Sequence, residues 1–133
     1  MRELLFRGQQ RRKGEKVYLD GSPVESSWFY GNGVLQGKGD FSIIYQTEPM
    51  FEKHSVYTDT LGQYTGLTDE NGRRIFEGDI VKVLSSDTVG EMHETTTVVD
   101  DIRTSSIIGW LEYANELEII GNIYDNPELL KGE

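Results

Sequence analysis

Leu67-Thr68-Asp69-Glu70-Asn71-Gly72-Arg73-Arg74-Ile75-Phe76-Glu77-Gly78-Asp79-Ile80-Val81 is the stretch that decides the fold. Asp69-Glu70-Asn71-Gly72 separates Leu67 from the apolar Ile75-Phe76, and its chemistry is that of a hairpin turn. Asp at the first position and Gly at the fourth suit a type I turn followed by a bulge, with Gly72 supplying the positive φ that other residues resist. In that register Asp69 faces Arg73, and opposite charges across a strand pair contribute a few tenths of a kcal/mol, up to ~1. If Asn71-Gly72 form a two-residue turn instead, Glu70 faces Arg73 and Asp69 faces Arg74. The charges match in both registers, so a hairpin is expected either way.

The next phrase, Phe76-Glu77-Gly78-Asp79-Ile80-Val81-Lys82-Val83-Leu84, turns a corner at Gly78-Asp79 and enters a hydrophobic strand. Gly78 is free to take a dihedral closed to other residues, and the Asp79 carboxylate is placed to accept a hydrogen bond from a turn amide. The competing reading of Asp79, a catalytic acid or metal ligand, is not needed, because turn capping accounts for it. The phrase is similar to the opening strand of many SH3-like barrels, so the C-terminal half is expected to close in that way.

Working outward, Leu4 to Arg7 and Lys16-Val17-Tyr18 read as two short strands, with Arg11-Arg12-Lys13 at the tip of the hairpin between them. Asp20 to Gly39 is rich in Gly and Ser and contains the aromatic triplet Trp28-Phe29-Tyr30. Phe41 to Tyr45 and Ser55-Val56-Tyr57 read as strands on either side of a polar loop containing Pro49. Ser85 to Glu94 reads as a polar loop, followed by the β-branched runs Thr95 to Val99 and Ser106 to Trp110. Leu117 to Ile120 reads as the last strand, with a bulge or turn at Gly121-Asn122. Asn126 at a cap, Pro127 after it and Glu128 in the first turn predict a short C-terminal helix, with Leu129 and Leu130 pinning it down. The expected organisation is an N-terminal β subdomain over residues 1–57 and an SH3-type barrel over residues 58–133, together one compact unit.

The 133 residues suffice for one ordinary core. A hydrophobic fraction of 36% is low, yet seven Tyr, five Phe and two Trp argue for a folded chain. There is no cysteine, which excludes disulfides, thiolate metal sites and thiol catalysis. No apolar run reaches the ~20 residues of a bilayer span or resembles a secretory signal, so a cytoplasmic location without membrane association is expected.

The formal net charge of −10 is uneven. Residues 1–16 hold six Lys/Arg against two Asp/Glu, and the remainder holds seven against twenty-one. A field of that sign repels phosphates, so nucleic-acid binding is not expected unless through Arg2, Arg7, Arg11, Arg12, Lys13 and Lys16. Trp28-Phe29-Tyr30 offers stacking rings, but Lys38 is the nearest cation in sequence, and packing is the expected use of the triplet.

Candidate chemistry is sparse. His54 lies near Glu52, and His93 lies between Glu91 and Glu94. Glu91-Met92-His93-Glu94 offers at most three metal ligands, so no metal is expected there. There is no Gly-x-Ser-x-Gly elbow, no phosphate loop and no dinucleotide fingerprint. The carboxylate pairs Asp69-Glu70 and Asp100-Asp101 read as surface charge, since neighbours on a strand point to opposite faces. Neither a catalytic residue nor a cofactor is assigned.

Three blocks carry a family resemblance: Met1 to Gly8 with Gly14-Glu15-Lys16-Val17-Tyr18, the long segment Gly62 to Val81, and the close Ile120-Gly121-Asn122-Ile123-Tyr124-Asp125-Asn126-Pro127-Glu128-Leu129-Leu130. In that order they resemble the YopX family. Lys16 stands where that family usually has Trp, and residues 19–57 and 85–115 have no clear counterpart. The resemblance implies a mainly β protein with an SH3-type barrel, encoded in phage or prophage genomes, and brings no established activity with it. With the acidic balance and the missing motifs, the expected role is that of a non-enzymatic accessory protein that binds a protein partner. The alternatives are a nucleic-acid module using the basic N-terminal cluster and an enzyme with a dispersed site; the oligomeric state is open.

Overall fold

The computed structural model describes residues 4–15, 25–100, 111 and 114–130. Among them the chain is mainly β, with ten strands, and it divides into two compact units, Met1–Gln63 and Tyr64–Glu133. No helix among the described residues is long and apolar enough to cross a membrane.

In the first unit, β1 (Phe6–Arg11) pairs antiparallel with β2 (Ser27–Gly31), and its Phe6 and Arg7 also pair with Gln63 and Gly62 at the start of β6 (Gly62–Thr68). The strand runs four residues past Arg7, beyond the expected Leu4 to Arg7, through the polar stretch Gln9 to Arg11. The buried Gln9 shows why such a run is tolerated: its amide donates to the Thr60 hydroxyl at 2.9 Å, which itself donates to the Tyr57 carbonyl at 2.7 Å. Lys16-Val17-Tyr18, the expected hairpin partner, lies outside the described residues.

β3 (Gly33–Leu35), β4 (Phe41–Gln46) and β5 (Glu52–Tyr57) form an antiparallel sheet with β4 in the centre. Period-two alternation sorts β4 into an inner set, with Ser42 and Ile44 buried, and an outer set of Phe41, Ile43 and Tyr45. Val56 and Ile44 are fully buried. Gly8 passes so close to Val56 that an added Cβ would sit 2.7 Å from its methyl carbon.

In the second unit, the remainder of β6 pairs with β7 (Arg74–Phe76), and β8 (Asp79–Ser86) is the centre of an antiparallel sheet between β10 (Glu116–Asn122) and β9 (Met92–Val98). Ile75, Val81, Val83, Val99, Leu111 and Leu117 form the core. Each such side chain contributes about 1.5–3 kcal/mol on burial. The β6–β7 ladder is interrupted at Gly66, whose φ is 91°. There the buried Thr65 hydroxyl donates to the Ile75 carbonyl at 2.8 Å and accepts the Leu67 amide at 3.1 Å, standing in for the lost rung.

Both decisive turns form. The Gly72 amide donates to the Asp69 carbonyl at 2.9 Å, and the Asp69 amide to the Arg73 carbonyl at 2.8 Å, which selects the register in which Asp69 faces Arg73. Gly72 and Gly78 have φ of 80° and 93°. The Asp79 carboxylate accepts the Phe76 amide at 2.8 Å, as a turn-capping residue should.

Four expectations are corrected. Asp69 is not surface charge: its side chain is fully buried, because it has backbone donors to satisfy. The polar loop before Thr95 is shorter than read, since β8 continues to Ser86 and β9 starts at Met92, leaving Asp87 to Glu91 as the turn. The C-terminal helix is a single 3-10 turn, Pro127–Leu130. Asn126 turns its side-chain oxygen back to the Asn122 amide at 3.2 Å rather than onto that turn, and Leu130 is exposed while Leu129 is half-buried and packs at Gly121. Bulging of β10 between Ile119 and Gly121 agrees with the irregularity read at Gly121-Asn122. The strand read at Ser106 to Trp110 lies outside the described residues.

Candidate functional site

The polar chemistry of the second unit centres on the Asp69 turn. Asp69 Oδ1 accepts the amides of Asn71 (3.0 Å) and Arg73 (2.9 Å), while Oδ2 accepts the Ile119 amide at 3.1 Å and pairs with the Arg73 guanidinium at 3.2 Å. Burial pushes this carboxyl up, but the Ile119, Arg73 and Asn71 amides and the Arg73 charge outweigh it and hold the group below its usual range. The Glu70 amide donates to the Leu117 carbonyl at 2.8 Å, and Arg73 Nη2 to the Ile119 carbonyl at 2.7 Å. The turn therefore covers the edge of β10 that β8 does not use. Glu70 is left exposed at that edge.

Register then places an acidic face beside it. Glu94, Leu84 and Glu116 stand in one row across β9, β8 and β10, and Thr96, Lys82 and Glu118 in the next. Directly opposed residues share a face. Glu70, Glu94, Glu116 and Glu118 thus surround Lys82 and Leu84 in a shallow depression. Residues 1–63 hold eight Lys/Arg and eight Asp/Glu, while residues 64–133 hold five against fifteen. The whole net charge of −10 falls on the second unit.

The other sequence candidates are dispersed. Arg7 is buried with its guanidinium 4.7 Å above the Trp28 ring, which removes it from any basic patch. Phe29 stacks on His54 with centroids 3.6 Å apart, and Tyr30 is exposed. His54 is 3.9 Å from Glu52. Lys38 and Asp100 are exposed, and Arg2, Lys16 and Asp101 lie outside the described residues. Asp87, Glu91 and His93 converge, with ligand atoms within 4.8 Å of one another, in an exposed turn. His93 Nε2 lies 2.7 Å from Asp87 Oδ2, and that contact, followed by the Glu91 amide, holds the Asp87 carboxyl below its usual range. Asp87 Oδ1 accepts the Val89 and Glu91 amides at 3.0 and 2.9 Å, so its first role is to shape the hairpin turn.

Two arrangements escaped sequence reasoning. One is the acidic face, whose members are 24 to 48 residues apart in sequence from Glu70 and meet only through strand register. The other is on the outer face of β3-β4-β5. Leu35 stands opposite Ile43, and Phe41 opposite Tyr57, while Tyr45 lies opposite Lys53. Tyr45 lies across Gly33, where an added Cβ would meet the ring at 2.1 Å. The alternation of β4 was the available signal for this face; its neighbours were not.

The YopX protein family model matches residues 6–131. The chain is 32% identical over 112 residues to the SPbeta prophage-derived uncharacterized protein YopX of Bacillus subtilis (strain 168), an alignment covering 68% of this chain and 83% of that protein. No solved structure matches it significantly. A family match over nearly the whole length, together with this relative, establishes that this chain belongs to the YopX family.

Proposed function

We propose that this protein is a non-enzymatic phage or prophage accessory protein of the host cytoplasm that acts by binding a protein partner, and that the partner presents a cationic surface. The observation that carries this reading is the placement of Glu70, Glu94, Glu116 and Glu118 around Lys82 on one sheet face of a unit with fifteen acids and five bases. Such a field speeds encounter with a basic surface and opposes phosphates and anionic lipid. The lack of nucleophile, phosphate-loop and dinucleotide motifs in the sequence supports binding rather than catalysis.

The second unit we read as an SH3-type barrel in a reduced form. The Gly78-Asp79 corner feeding β8, and the Asp69 turn fastened along the outer edge of β10, support a sheet that curls toward closure.

The experiment is affinity capture with a tagged copy in lysate of its native lysogenic host. A basic protein is retained at low ionic strength and released as salt rises, because screening weakens exposed charge pairs. Recovery of nothing above background defeats the reading.

A further inference from the structure

The basic loop and the aromatic sheet face of the first unit, separate in the sequence, meet in the fold. Arg12 lies with its guanidinium 4.1 Å above the Tyr57 ring, and both Tyr57 and its cross-strand neighbour Phe41, 4.9 Å away, belong to the outer face of β3-β4-β5. At the other end of β4, about 13 Å along a strand, Phe51 stacks beside Tyr45 at 6.1 Å, with Lys53 directly opposite Tyr45. Phe41 and Phe51 are 53% and 63% exposed. Arg11, Arg12 and Lys13 are exposed at the rim. This unit is formally neutral, with eight Lys/Arg and eight Asp/Glu.

We infer that this face is a binding platform for single-stranded nucleic acid. Two exposed rings, Phe41 and Phe51, each beside a half-buried tyrosine of the outer face, supply sequence-tolerant stacking for unpaired bases, and Lys53 with the Arg11-Arg12-Lys13 loop, whose Arg11 and Arg12 also pair with Glu15 and Asp59, supplies contacts to phosphate. Arg12 Nη2 donates to both oxygens of Asp59, at 3.0 and 3.1 Å, which holds its cation over the Tyr57 ring. The Tyr57 hydroxyl donates to Glu15 Oε1 at 2.7 Å, which fixes the ring against the same loop. A purely apolar docking face would need no cations at its two ends. The inference does not depend on the protein partner proposed above, which uses the other unit.

The test is fluorescence anisotropy of a labelled oligothymidylate of about twelve nucleotides with the full chain at low salt. Binding is expected, with a log–log salt slope of about −2 for roughly three phosphate contacts. Phe41→Ala and Phe51→Ala should each weaken it about tenfold. Both rings are exposed, so thermal unfolding of these variants should match the parent. Lys53→Ala should flatten the slope by about 0.7. Absence of binding at low salt overturns the inference, as does equal affinity for duplex DNA or indifference to both Phe variants. A concentration-dependent dimer in sedimentation, abolished by Phe41→Ala and accompanied by no oligonucleotide binding, overturns it by assigning the face to a second copy.

Discussion

Asp69 Oδ2 accepts the backbone amide of Ile119 at 3.1 Å, joining residues fifty apart in sequence. The hydrogen bond fastens a local turn to the last strand, so one buried carboxylate serves both the hairpin and the sheet edge.

Replacing it should be costly. Asp69→Ala leaves the Asn71, Arg73 and Ile119 amides without their acceptor, and the expected loss is about 3 kcal/mol, read as a lower urea midpoint. The pH dependence has a definite sign. The folded carboxyl titrates below its usual 3.8, so the native state binds fewer protons than the unfolded chain. Its stabilisation is complete above about pH 5, starts to fade as pH falls through the unfolded value and is lost as pH falls through the depressed folded value. Asp69→Asn should therefore be less stable than the parent at about pH 6, with the gap narrowing at about pH 3. A constant gap would contradict this account of Asp69.

The two left-handed glycines should differ. Gly72→Ala meets open space, so its cost is the backbone term alone, about 1 kcal/mol. Gly78→Ala adds a Cβ only 2.8 Å from the Tyr124 ring, and the expected cost is about 2–4 kcal/mol. Thermal unfolding of the two variants checks the order.

Buried hydroxyls carry backbone polarity in both units. Thr60→Val and Thr65→Val keep shape but orphan the Gln9 or Leu67 amide together with the Tyr57 or Ile75 carbonyl. Each should lower stability by about 1–3 kcal/mol in equilibrium denaturation.

What was legible in the sequence was local. Gly72, Gly78 and Asp79 could be read because turn chemistry involves only neighbours, and the β4 strand because alternation is visible within six residues. Asp69 was read correctly as a turn residue and wrongly as surface charge, since its third amide donor comes from Ile119. Likewise Arg12 was visible as a cation and Tyr57 as a strand residue, but only the packing of the loop against β5 brings them together. The acidic face needed the pairing of three strands, and the strand character of Gln9 to Arg11 needed Thr60.

The claim on which the functional account rests is that one sheet face of the acidic unit recognises a basic protein. The most direct measurement is capture from host lysate by the parent and by the combined Glu70→Gln, Glu94→Gln, Glu116→Gln and Glu118→Gln variant, side by side, with unfolding curves showing both to be folded. A basic partner is expected to be held by the parent and lost by the variant. Equal retention of the same partner by the two proteins would contradict it.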